Sequence, residues 1–131
     1  TKVIKRRTVR GVHVDSGKKI FSGLLYLGNK DFKFYKGGNL HLFKWRFKFP
    51  KFFKQLLYSE PLSLRLIKDI KVVETKHNRV IFFVNSIDSL HSVSERDRSL
   101  YERYFLNFIV NSDKYIFYAG RDEFFSKFSK S

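Results

Sequence analysis

The residues of this chain best placed to do chemistry are cations set between aromatic rings. Leu42 to Lys51 reads LFKWRFKFPK. In an extended strand successive side chains point to opposite faces, which puts Phe43, Trp45, Phe47 and Phe49 on one face and Lys44, Arg46 and Lys48 on the other. With the rings turned into a core, the outer face is purely cationic. Such a face suits phosphates and lipid headgroups. Readers of single-stranded nucleic acid need exposed aromatics on the same surface as their cations, because bases stack while phosphates pair. Lys30, Lys33 and Lys36 lie just upstream, on segments that hairpins should bring beside this strand. The candidate lipid-binding set is therefore Lys30, Lys33, Lys36, Lys44, Arg46 and Lys48, with Lys5, Arg6 and Arg7 of the basic start as a second membrane contact.

Other chemistries find less support. Gly11 to Lys19 reads GVHVDSGKK and approaches a phosphate-binding loop, but five residues separate Gly11 from Gly17 where four are required. Lys19 also stands where a Ser or Thr should hold magnesium, so the stretch reads as a basic hairpin turn. His13, His41, His77 and His91 are far apart in sequence, so no metal is expected. There is no G-x-S-x-G elbow and no Cys nucleophile. Glu95, Asp97 and Glu102 interleave with Arg96, Arg98 and Arg103, the pattern of an exposed, salt-bridged helix rather than a catalytic pair. No enzyme activity and no cofactor are expected.

The composition bounds what must position these groups. The chain has 131 residues, 27 Lys plus Arg against 12 Asp plus Glu, and a formal charge of +15. It is one domain by length. At 43% hydrophobic and 18% aromatic it has enough apolar material to fold, which excludes a disordered basic tail. The absence of Cys excludes disulfides and thiolate metal sites. Residues 1–60 carry 15 Lys or Arg against 3 Asp or Glu, a net of +12, and residues 61–131 carry a net of +3. An AT-rich coding bias would inflate Lys and Phe, but it would not segregate charge between halves. The asymmetry points to a polyanionic partner. No stretch approaches the ~18–20 apolar residues of a membrane span. The first residue is Thr1, so a processed or excised piece is expected, with any acylation signal lying upstream.

Short β-rich runs separated by turn signals follow one another: Ile20 to Leu27, Asp31 to Tyr35 and Leu40 to Phe49, which suggest an antiparallel meander. Phe52 to Tyr58, Leu62 to Glu74 with a break near Lys68-Asp69, and Val80 to Val84 continue the series. A polar insertion follows at about 85–103, with a short helix from about Glu95 to Tyr101. Phe105 to Val110 and Tyr115 to Tyr118 read as a hairpin. Asp122, Glu123, Phe124, Phe125 and Phe128 have helical spacing and a first turn matched to the dipole. The organisation is a basic arm or edge strand at 1–12 and a mainly β domain at 13–131, six or seven strands closed by a C-terminal helix.

The succession FKWRFKF, LLYSE, PLSLRLIKDIKVVE, FLNFIV, KYIFYAG and RDEFFSKF resembles a pleckstrin-homology (PH) domain over roughly residues 20–128. The resemblance implies a seven-stranded, bent antiparallel barrel capped by a C-terminal α-helix. Its lipid-binding members use a Lys at the end of the first strand and a Lys/Arg-x-Arg pair on the second. Lys44-x-Arg46 matches the second element. Leu27 occupies the position of the first, with Lys30 the nearest cation, a departure that points away from selective phosphoinositide binding and towards anionic lipid in general. The family's helix Trp is absent, and Phe125 or Phe128 would take its place.

In overall character the chain is most similar to the acylated PH-domain proteins of apicomplexan parasites, and secondly to their inner-membrane-complex sub-compartment proteins. The first likeness implies a monomeric, lipid-anchored peripheral protein on the cytoplasmic face of a secretory organelle such as the microneme. Its PH domain would bind phosphatidic acid, or a phosphoinositide, in exocytosis. The second implies a PH-like protein-interaction scaffold with little lipid affinity. A basic nucleic-acid-binding domain is the weaker alternative.

Overall fold

The computed structural model describes residues 11–27, 37–95, 104–126 and 128. Its elements are β1 (Lys19–Leu27), β2 (Leu40–Trp45), α1 (Lys51–Leu57), a 3-10 turn (Leu64–Leu66), β3 (Ile67–Val73), β4 (Arg79–Val84), β5 (His91–Val93), β6 (Tyr104–Asn111) and α2 (Arg121–Ser126). The strands form two three-stranded antiparallel sheets, in the orders β4-β1-β6 and β3-β2-β5. The fold is thus mainly β with a short C-terminal helix, and among the described residues the two sheets do not close into a barrel.

Pairing is less local than a meander. Both long edges of β1 are filled, by β4 from Phe21↔Val84 to Tyr26↔Arg79 and by β6 from Lys19↔Asn111 to Leu27↔Tyr104. The strand therefore does not lead into a sequential neighbour. β6 in turn pairs with β1 rather than with residues 115–118, which form bends and no strand. β3 continues through Lys68 and Asp69, and the expected break is a register shift beside them: Leu42 pairs with Lys71 and Phe43 with Asp69, which leaves Ile70 of β3 as the extra residue. β2 ends at Trp45, short of the extent its alternation suggests, and Lys51–Leu57 is helix where a strand was expected. Pro50 lacks the N–H a ladder needs, and its carbonyl accepts the Lys54 N–H to open α1.

The core gathers Val12, Val14, Trp45, Tyr58, Leu62, Ile67, Ile87, Leu90 and Phe117. Three of its hydrogen bonds tie loops to elements. Trp45 Nε1–H donates to the Ile87 carbonyl at 3.0 Å, the Val14 N–H donates to Tyr58 Oη at 3.0 Å, and the Tyr118 N–H donates to Gln55 Oε1 at 2.7 Å. Ile87, Leu90 and His91 are buried, so the first part of the expected polar insertion belongs to the core. Val12 is buried in this core, and its carbonyl accepts the Leu62 N–H. Gly120 has φ +99°, a conformation that L side chains rarely adopt, and starts α2 by accepting from the Phe124 N–H. The 1–10 arm and all but Glu95 of the expected 95–101 helix lie outside the described residues.

Candidate functional site

The cationic surface is built on β2 and β3. Lys44 is exposed on β2 and its direct partner in the ladder is Lys68 on β3, so two ammonium groups share one face of the sheet. Like charges placed opposite each other on a sheet are destabilising. Neither forms a hydrogen bond or ion pair through its side chain among the described residues, so none of these residues offsets the repulsion. Arg46 follows at the strand end, where its Nη2–H donates to the Ile67 carbonyl at 3.1 Å. Lys48 and Lys51 are exposed just beyond. Lys54 is engaged with Asp88 at 2.6 Å and adds little free charge. Lys5, Arg6, Arg7, Lys30, Lys33 and Lys36 lie outside the described residues, so the structure brings together Lys44, Arg46 and Lys48 from the candidate set. Lys68 was missed, and its signal was the cation spacing within LRLIKDIKVV.

The aromatic half of the pattern divides. Trp45 is 7% exposed and belongs to the core, and Phe43 and Phe49 pack against it. Phe47, expected inside, is 53% exposed. The cause is the end of β2 at Trp45: once the chain bends, the two-residue alternation no longer fixes which way a side chain points. Phe52 and Phe53 on α1 are also exposed among Lys48, Lys51 and Lys54. Phe52 meets Phe124 of α2 edge-on at 5.2 Å, and Phe124 contacts Phe125 and Phe128. The result is a Phe-rich ridge across both helices, contiguous in sequence with the cationic strand.

A second constellation lies in the stretch rejected as a phosphate loop. His13 and His91 face each other in an antiparallel bridge, with each N–H donating to the other's carbonyl at 2.9 Å. Asp15, two residues from His13, accepts from Ser22 Oγ at 3.0 Å and lies 3.4 Å from Lys19 Nζ. Burial works against the Asp15 charge, but the Lys19 ammonium, positive charge on His91 and the Ser22 hydroxyl outweigh it. The carboxyl is held below its ordinary value. Gly17 serves packing here, since a Cβ would lie 2.0 Å from the Phe117 carbonyl oxygen. A groove of about 760 Å³ runs past Val14, Asp15 and Ser16, between Leu57-Tyr58 and the start of α2.

The outer face of the first sheet is a third surface. By register, Val80, Phe82 and Val84 of β4 and Leu106, Phe108 and Val110 of β6 flank Phe21, Gly23 and Leu25 of β1, with no charge among them. A Cβ at Gly23 would stand 2.4 Å from the Phe82 ring, so the ring packs over this glycine and would have to shift for any larger residue. No helix among the described residues is long and apolar enough to cross a membrane. Comparison with known proteins finds no family model, no curated protein and no solved structure that matches the chain.

Proposed function

We propose that this chain is a peripheral membrane module that docks on anionic phospholipid, phosphatidic acid foremost, through Lys44, Arg46, Lys48, Lys51 and Lys68 and the adjoining Phe ridge. The observation that carries the reading is the Lys44–Lys68 pair. A sheet that sets two cations opposite each other, with no counter-ion among the described residues, gains from an external anion that contacts both. A phosphatidic acid headgroup is a small exposed phosphomonoester able to do so. Each Lys or Arg near an anionic surface contributes on the order of 1 kcal/mol, and the exposed Phe side chains add an apolar contribution at the interface. Binding of that size is reversible, so stable residence takes a second anchor such as an acyl chain. The PH-like sequence character supports the same role.

A nucleic-acid partner is the competing reading, because Phe47, Phe52 and Phe53 are exposed beside Lys48 and Lys51, the arrangement that base stacking uses, while Phe52 also packs edge to face on Phe53 at 84° and on Phe124 at 80°. The deciding experiment is co-sedimentation with vesicles of phosphatidic acid, phosphatidylserine or phosphoinositide at matched charge and low salt, with single-stranded RNA as competitor. Pelleting with anionic vesicles that RNA does not reverse is the expected outcome. No pelleting with any anionic vesicle contradicts the proposal, and full reversal by RNA moves the site to nucleic acid.

The apolar sheet face favours a second reading, a protein-interaction scaffold whose first occupant is another copy of this chain. Its six flanking side chains are each about half exposed, on the order of 500 Å² together, set against about 800 Å² per partner in a standard interface and 300–600 Å² for the largest patch on a typical monomer. Sedimentation equilibrium without lipid distinguishes it: concentration-dependent dimers support this reading, and a monomer throughout removes it.

A further inference from the structure

We infer that His13, Asp15 and His91 form a binding site for a divalent transition-metal ion, with zinc the best fit among common ions. The three residues come from the two sides of one antiparallel bridge. His13 and His91 are directly opposite, and Asp15 lies two residues along from His13, so the period of an extended chain returns it to the same face. One ligand atom from each lies within 4.8 Å of the other two. Tetrahedral zinc with bonds of about 2.0–2.1 Å holds its ligands about 3.3 Å apart, so a contraction of roughly an ångström brings them to bonding distance.

The surroundings independently prepare these groups for a metal. His13 Nδ1 lies 2.8 Å from the Gly11 carbonyl oxygen, and His91 Nδ1 lies 2.9 Å from that of Ser89. A carbonyl only accepts, so Nδ1 carries a proton in both rings, and Nε2 is the nitrogen that would take the ion, giving up any proton it carries as the ion binds. Metal-ligating histidines use such a carbonyl partner to fix tautomer and ring orientation. The Ser22 hydroxyl holds one oxygen of Asp15 in the same way, and Phe83 packs against His91 at 5.1 Å. Both histidines are buried, and Asp15 also lines the groove described above. Two imidazoles and one carboxylate suit zinc, cobalt or nickel better than calcium or magnesium. The Lys19 ammonium must swing away from Asp15 when the ion binds.

The test uses the full chain, stripped with chelator and titrated with Co²⁺ alone, followed by visible absorption, then by Zn²⁺ competition. One Co²⁺ per chain, with d–d bands that Zn²⁺ abolishes, is expected. So is a rise in Tm of roughly 10 °C when Zn²⁺ exceeds its Kd a hundredfold. His91→Asn keeps a donor for the Ser89 carbonyl and removes Nε2. Asp15→Asn keeps an acceptor for Ser22. Each should lose the bands and the Tm rise while the metal-free near-ultraviolet spectrum stays unchanged, and His77→Gln should retain both. If His91→Asn does not fold, Asp15→Asn decides the matter alone. Absent bands and an unchanged Tm in the parent chain overturn the inference, as do bands that survive Asp15→Asn.

Discussion

Replacing Lys68 with Gln should move stability and membrane binding in opposite directions. Lys68 lies opposite Lys44 in the β2–β3 ladder, and both side chains are exposed. A cross-strand pair is worth roughly 0.2–1 kcal/mol, unfavourable for like charges, and exposure places this one at the low end. Lys68→Gln should therefore stabilise the fold by a few tenths of a kcal/mol. The same change removes about 1 kcal/mol of attraction to an anionic surface, a fivefold loss of partitioning, and Lys44→Gln with Lys68→Gln removes about 2 kcal/mol, roughly thirtyfold. Urea unfolding gives the first quantity. Co-sedimentation with phosphatidic acid vesicles gives the second, run at low ionic strength because a Debye length of about 10 Å at 0.1 M screens exposed charges. Partitioning of the double variant within threefold of the parent, or a loss of stability in Lys68→Gln, would refute the assignment of these lysines to an external anion.

Three further outcomes follow from the packing. Phe53→Ser should weaken vesicle binding about tenfold and leave a deficit that added salt does not erase, because a half-exposed Phe contributes about 1–1.5 kcal/mol when it enters the interface; vesicle titrations at two salt concentrations measure this. Trp45→Phe removes the donor to the buried Ile87 carbonyl and should cost about 2–3 kcal/mol in urea unfolding, with vesicle affinity unchanged at temperatures where the variant is folded. Gly17→Ala should cost at least about 2 kcal/mol in the same assay, because the added carbon meets backbone at Phe117 rather than a flexible side chain.

What could be read from the sequence was what depends on local pattern. β1, β3, β4 and α2 fall close to the runs that announced them, since β-branched and aromatic content or an acidic first turn marks each within its own residues. The β-rich class and the exposure of Lys44 follow from the same patterns, while Arg46 and Lys48 are exposed beyond the strand end, where alternation no longer applies. α1 escaped because seven residues are too few to show a helical period and two adjacent Phe read as β-formers. β5 escaped because three residues in a Ser-rich stretch carry no strand signal, and its identity comes from pairing with β2. Strand order also lies beyond local reading, since β1 takes its partners from residues 79–84 and 104–111. The His13–Asp15–His91 cluster is of this kind. Its His-x-Asp half was visible, but the second histidine arrives only through the bridge between chain segments far apart. Phe47 shows the converse error, where alternation was extended two residues past the end of its strand.

The absence of Cys makes a single introduced thiol a clean attachment point for a nitroxide. The most direct test of the membrane face is the immersion depth of nitroxides at Phe53→Cys on α1 and, separately, Val84→Cys on the apolar sheet face, measured by collisional relaxation with and without phosphatidic acid vesicles. The docking account predicts that the label at position 53 becomes accessible to oxygen and shielded from a water-soluble relaxer, while the label at position 84 stays aqueous. Immersion at 84 with an aqueous label at 53, or no change at either position on vesicles that pellet the protein, would contradict it.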